Sequence, residues 1–477
     1  MEYKVTNRTF KLGLAPTRRF CFSVEEAHKQ KLAVEAKLRS WNIAFVNIDT
    51  INDEGLLLHG NDAARAAELF IREQVDAVFS PHVNFGTEEV VSALAKKVGK
   101  PFLLWGPRDE SPLSSGLHLR DTQCGLFATS NVLRKYGVAF MYVVNSHVDS
   151  PEFERGFKTF VGAAKAANAF MGARIGQVDT RPGNFYTVII NEQELLSRWG
   201  IEMVPLSLLR LQHILKSLIG SDKRVHEKVS FIKNKIKSTI DDVALMKVAA
   251  LEIFMTDWAK EEELSAIAFK CHEDLPEAMG FYSCFANGEL TSHGVPVVCE
   301  TDIHGALSSI LLQSASLADT PTFFADLTIR HPSNDNAELL WHCGNFPHSL
   351  CKNKDSAFIG GHCNIAGAIP GTGNYEIKQG DITIARFDGM NGEYSLLMGQ
   401  GKSTVGPYNL GTYVWLEVPD WPLWEERIIY GPYAHHVAGI HDRVAPALFE
   451  ATRFIPGLKA DPIQPTAEEI RAYMRGK

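Results

Sequence analysis

From Phe10 to about Arg108, short apolar runs alternate with amphipathic stretches: KLGLAP, VEEAHKQKLAVEAKLRSW, IAFVNI, AARAAELFIREQ, DAVFSP, EEVVSALAKKVG and PFLLWG. Few folds accept that alternation. Strand, helix, strand repeats of this length demand right-handed crossovers and a parallel sheet covered on both faces, so the chain opens with a Rossmann-like α/β domain. No GxGxxG follows the first strand, which removes the dinucleotide fingerprint. The turn ends Ser80 to Gly86 and Leu103 to Asp109 fall beyond the carboxyl ends of strands, where open sheets present ligand contacts.

A second α/β pattern starts near Asp121, with helical CGLFATSNVLRKYG, strand-like VAFMYVV and a helix from Pro151 to about Met171. Helical spacing dominates from Leu206 to about Glu263, and its lysine-rich part is read as a solvated face. From about Val295 the texture changes to short β-branched and aromatic runs broken by Gly, Asn and Pro, such as DITIARF and TYVWLEV. The expected fold class is therefore α/β: two open α/β domains followed by a β-rich C-terminal domain. The boundaries are set at 1–115, 116–290 and 291–477, in keeping with 477 residues exceeding what one core serves.

Charge narrows the function. A net charge of -8 lacks the positive field that phosphate backbones and anionic membranes need, so neither nucleic acid nor membrane is expected as a partner. The N-terminal MEYKVTNRTFKLGLAP carries no apolar stretch of signal-peptide length, which points to a cytoplasmic protein. Eight cysteines without a CxxC pair read as reduced thiols, and Cys299 and Cys343 are assigned to packing.

Ionisable groups gather at the ends of apolar runs between Val295 and His348: PVVCETDIHGAL, TFFADLTIR and LLWHCGNFPH. Glu300 and Asp326 each follow a buried-strand pattern, so each carboxylate emerges at a strand end. Two like charges a few ångströms apart resist joint ionisation unless a cation lies between them. His342 and the pair His435-His436 supply imidazoles. Asp302 and His304 sit in what reads as the first turn of a helix, where an acid commonly caps. His348 and His362 read as loop residues, and Trp105, Trp421 and Trp424 as candidate apolar walls of a binding site.

Together these stretches resemble the L-fucose and L-arabinose isomerases. The resemblance rests on KCHEDLPEAMGFYSCFANGELTSHGVPVVCETDIHGALSSILLQ, with its cysteine, glutamate and D-x-x-G-A-L, and on the histidine pair in GPYAHHVAG. It implies metal ligands at Glu300, Asp326 and His436. His342 stands where arabinose isomerases place a further histidine ligand, and contact with substrate is the other role open to it. The implied activity is aldose-ketose isomerisation of a monosaccharide (a 6-deoxyhexose, pentose or modified hexose) through an enediol, with Glu300 and Asp326 catalytic. Mn²⁺ is the expected ion, with Mg²⁺ or Co²⁺ as alternatives. The family also implies a homo-oligomer, a hexamer, in which the N-terminal domain of one subunit closes its neighbour's site. In LAPTRRF, Arg18 matches a substrate-binding arginine better than Arg19 does. A metal-dependent hydrolase or lyase on a sugar derivative uses the same ligands, and a non-catalytic sugar-binding protein shares the α/β layout.

Overall fold

The apolar runs of the N-terminal stretch form β1 (Lys11–Leu14), β2 (Ala44–Val46), β3 (Ala77–Pro81), β4 (Phe102–Trp105) and β5 (Met141–Tyr142). They lie in the order β2-β1-β3-β4-β5, all parallel. Successive residues of a strand enter opposite cores: Phe102 and Leu104 one, Leu103 and Trp105 the other. Burial on both faces is why these runs are continuously apolar instead of alternating. The computed structural model describes residues 9–363 and 368–477, so the start of the stretch read for a leader lies outside it.

Contacts divide the chain into two compact units instead of three consecutive ones. One comprises the N-terminal stretch through Asn168 together with Phe449–Phe454 and Glu468–Lys477. The other comprises Ala169–Leu448 and Ile455–Ala467. No boundary falls at 115, for a physical reason: the VAFMYVV run read as opening a second domain supplies β5, the fifth strand of the first sheet. The helix Pro151–Phe170 then packs Phe153, Phe157 and Phe160 into the same core.

In the larger unit β6 (Arg174–Val178) and β7 (Glu202–Leu206) begin a second parallel sheet, and the short β8 (Lys237–Ser238) pairs outside it. β9 (Ala266–Phe269) and β10 (Val297–Cys299) complete it in the order β10-β9-β6-β7. The expected long helices are present at Leu208–Ser221, Lys223–Lys235 and Asp242–Glu261.

The β-rich region comprises β11 (Thr322–Arg330), β12 (Ala337–His342), β13 (Phe358–Gly361), β14 (Pro370–Glu376), β15 (Asp381–Met390), β16 (Glu393–Thr404), β17 (Thr412–Glu417), β18 (His436–Ile440) and β19 (Leu458–Pro462). Six of them close on themselves: β11 pairs β12, then β17, β16, β15 and β18, which returns to β11, every pair antiparallel. The result is a small closed barrel. The buried helix Ile303–Ala315 follows β10 and packs on β15, β18 and β11. Because β10 and β9 belong to the parallel sheet, that sheet and the barrel share one continuous apolar core. Among the described residues no helix is long and apolar enough to cross a membrane.

Candidate active site

Glu300 follows the last residue of β10 in a tight turn. Glu300 and Thr301 both take left-handed backbone conformations, φ +65° and +56°, which cost energy for residues with a Cβ and concentrate at functional sites. Asp302 then caps the helix Ile303–Ala315, its Oδ1 accepting from the Gly305 N–H at 2.9 Å. A Cβ at Gly305 would stand 2.5 Å from the Phe324 ring and 2.9 Å from Asp302 Oδ2. Bare backbone there lets the helix start lie against β11.

Across the barrel wall, Asp326 of β11 is the direct cross-strand partner of His436 in β18, and its other neighbour is Trp341 of β12. His342 ends β12. Here four of the sequence candidates converge. His436 Nε2 is 2.9 Å from Glu300 Oε2 and 3.3 Å from Asp326 Oδ1. Neither approach has hydrogen-bond geometry. Glu300 Oε2, Asp326 Oδ1, His342 Nε2 and His436 Nε2 are each buried without a hydrogen-bond partner.

The rest of the His436 ring is fixed from behind. Its Nδ1 donates to Asp302 Oδ2 at 2.9 Å, and the fully buried Arg386 donates to the same oxygen. Arg386 Nε also donates to Asp388 Oδ2 at 3.0 Å, and His304 Nδ1 bonds Asp388 Oδ1 at 2.9 Å. A chain of alternating charges therefore runs from the candidate ligands into the core. Burial raises the pKa of Asp302, but the charge of Arg386 and the bond from His436 hold it far below the usual carboxylate range. Glu300 is likewise pushed up by burial and brought well below its ordinary value by His272 and His436. His342 is shifted down by burial.

Two further histidines neighbour these groups, of which His272 was not read from the sequence. His272, just beyond β9, places Nε2 3.4 Å from Glu300 Oε1. The signal available was its position at the end of an apolar run, the feature that marked Glu300. His435, the first of the histidine pair, stands 3.9 Å from Asp326 Oδ1. The Asp302 and His304 reading as a helix start holds, but both side chains also join the buried charge chain.

Other candidates lie apart from these donors. Trp421 lines a cleft of about 350 Å³ with Leu327, Glu338, Glu425 and His435. Trp424 is buried and donates to Gln464 Oε1 at 2.9 Å. Trp105 is wholly buried in the N-terminal core, 4.2 Å from Phe153 between ring centroids, with Nε1 on Ser146 Oγ. The fold uses it for packing, so no sugar face reaches it. Arg18, past the end of β1, is paired by Nε at 2.5 Å and Nη2 at 2.6 Å with both carboxylate oxygens of Glu54. Arg19 pairs with Glu88 and stacks on Phe85.

Two carboxylates and two imidazoles thus come together beside the closed barrel. Residues 13–171 match the N-terminal domain of the fucose/sulfoquinovose isomerases. This and the alignments below support a fucose isomerase-like family for the chain. It is 26% identical over 393 residues to a sulfoquinovose isomerase from Priestia aryabhattai, covering 80% of this chain and 84% of that one. A sulfoquinovose isomerase from Alkalicoccus urumqiensis is 25% identical over 381 residues, covering 79% and 84%. A periplasmic solute-binding protein from Actinobacillus succinogenes, solved with D-allose, aligns at 13% identity over 57% of this chain and 81% of that one. Its TM-score of 0.16 carries no weight for the fold.

Proposed function

We propose that the chain is a metal-dependent aldose-ketose isomerase whose substrate is a sulfonated hexose of the sulfoquinovose kind. The aldose-ketose isomerase class follows from the fucose isomerase-like family and the sulfoquinovose isomerase relatives. The observation that carries the metal reading is the set of four buried donor atoms, on Glu300, Asp326, His342 and His436, that face one region with no hydrogen-bond partner. Buried carboxylate oxygens cost several kcal/mol unless a cation faces them. Without metal the His436 imidazolium does so for Glu300, and an ion bound at Nε2 would replace its proton. Oxygen and imidazole donors without thiolate suit Mn²⁺, with Mg²⁺ or Co²⁺ as alternatives. Such an ion supplies Lewis-acid polarisation of the sugar's oxygens.

The chain's own groups then do the proton work. Isomerisation moves a proton between C1 and C2 through an enediol. Glu300 and Asp326 flank His436, and in this reading one takes the carbon-bound proton while the other carries the hydroxyl proton. His272 and His436 keep Glu300 ionised, the form that both a ligand and a base require. Asp302 and Arg386 hold the His436 ring still. The proposal extends to a homo-oligomer, a hexamer, in which N-terminal residues including Arg18 reach a neighbour's substrate.

The test is conversion of sulfoquinovose, with a panel of pentoses and 6-deoxyhexoses, by metal-loaded protein in D₂O, followed by NMR. Deuterium entering C1 or C2 of the sulfonated sugar, lost on chelation, supports the reading. Ring or sulfonate cleavage without isomerisation indicates a lyase or hydrolase and overturns it.

A further inference from the structure

Beside the carboxylate-rich donors lies a second group of different chemistry. One ring nitrogen each from His272 and His362 and the Sγ of Cys343 all lie within 4.8 Å of one another. Three separate elements deliver them. His272 lies just past β9, Cys343 directly follows the last residue of β12, and His362 directly follows the last residue of β13. Cys343 and His362 are 6% and 5% exposed, and the His272 side chain is 20% exposed, so the group is lined by protein yet reachable. The rings are packed in place: His272 and His362 are 5.8 Å apart between centroids, and Tyr282 lies 4.5 Å from His362.

We propose that His272, His362 and Cys343 form a second metal site, selective for a borderline, thiophilic divalent ion such as Zn²⁺. Two imidazoles and one thiolate are a softer set than the neighbouring carboxylates, and three protein ligands with an open position are common for zinc. Bonds of about 2.0–2.3 Å to a tetrahedral ion place ligand atoms roughly 3.3–3.8 Å apart. From separations of at most 4.8 Å this needs a closure of up to about 1.5 Å, within reach of side-chain rotation. On binding, the Cys343 S–H bond breaks, its proton leaves to solvent and a sulfur–metal bond forms, with no change of oxidation state. The thiolate, not the thiol, is the ligand, so metal binding at Cys343 releases one proton.

Cys271 offers a competing thiol, since it too groups with His272 and Glu300. It is already engaged with the Cys299 thiol, and Glu300 belongs to the carboxylate set. The Cys343 group draws on none of the four unpartnered donors, so both sites can fill. They remain coupled through His272, which faces Glu300 at 3.4 Å. A zinc ion in the second site draws that imidazole away from Glu300, so excess Zn²⁺ suppresses whatever chemistry Glu300 performs.

Co²⁺ titration of the full chain under reducing conditions tests this independently of any sugar conversion. The parent and Glu300→Gln, which disables the carboxylate set, should both develop thiolate-to-cobalt charge-transfer absorption in the near ultraviolet, removed by one equivalent of Zn²⁺. Cys343→Ser should abolish the band, and His362→Asn should weaken Co²⁺ binding by at least about tenfold. No charge-transfer band in the parent overturns the site. So does a band that survives in Cys343→Ser, or one lost instead in Cys271→Ser. If Cys343→Ser fails to fold by circular dichroism, the parent and His362→Asn titrations decide alone.

Discussion

Asp302 Oδ2 accepts a hydrogen bond from His436 Nδ1 at 2.9 Å, and this one contact decides which nitrogen of the imidazole meets Glu300 and Asp326. With Nδ1 committed as a donor, Nε2 is the only nitrogen left to bind. Asp302→Asn removes the charge and frees the amide to bond either way. We expect metal affinity to fall by about 10- to 100-fold. Calorimetric titration of parent and variant with Mn²⁺ measures it, and equal affinities would remove Asp302 from the site.

Replacing either carboxylate should be more severe than replacing its support. Glu300→Gln and Asp326→Asn each lose a proton carrier, for which a drop in turnover of about 10²–10⁴-fold is typical. Steady-state kinetics at saturating metal would show it. A variant retaining a third of parental turnover is not the variant of a catalytic carboxylate.

Metal affinity should climb with pH. Burial lowers the His436 pKa, but the carboxylates of Asp302 and Glu300 outweigh it and carry the metal-free imidazole up to about 10. An ion binding at Nε2 must expel that proton, so affinity rises by up to about tenfold per pH unit below that value. Calorimetry in two buffers of different ionisation enthalpy should report close to one proton released per Mn²⁺ at pH 7. Proton-neutral binding would contradict the assignment.

Glu338, in the cleft beside Trp421, is pushed up to about 7 by burial and by the Glu425 charge. Its folded pKa lies above its unfolded value of 4.5, so the folded state holds the proton more tightly. Stability is therefore full below about 4.5, declines as pH rises and is lowest above 7. Glu338→Gln removes the penalty. After allowance for partial solvent screening we expect a gain of about 1–2 kcal/mol at pH 8 and none at pH 4, read as a rise in Tm confined to the higher pH. A gain of equal size at both pH values would mean that packing, not charge, is responsible.

Arg18 is the proposed contact to the anionic end of the substrate. If it contacts the sulfonate, the anion competes with Glu54 for the guanidinium fork, and Arg18→Ala lowers kcat/KM for the sulfonated sugar more than for a neutral analogue. Metal affinity should be unchanged. Equal losses on both sugars would return Arg18 to the role its pairing with Glu54 already gives it, tying the loop to β1.

Glu300, Asp326 and His436 were legible because each carries its own local signal: an ionisable group where a buried apolar run begins or ends. The Asp302 cap was legible for the same reason, since Gly305 lies three residues on. Its second role was not, because Arg386 is 84 residues away and only barrel closure brings it to Asp302. The parallel N-terminal sheet followed from periodicity. The unit boundary did not, since β5 reads like the start of a new domain and joins the first sheet only through pairing with β4. His272 announced itself as weakly as any lone histidine.

Asp326 and His436 face one another as rungs of a ring of strands with no free end between them. A strand in such a ring cannot shift by one residue without turning every side chain it carries to the opposite wall. The spacing of that pair is therefore inherited with the barrel's hydrogen-bond ladder and owes nothing to the length of any connecting loop. Insertions or wholesale exchange of the loops around the barrel leave it intact, so a redesign aimed at a new sugar has the loops as free variables and this pair as a constant.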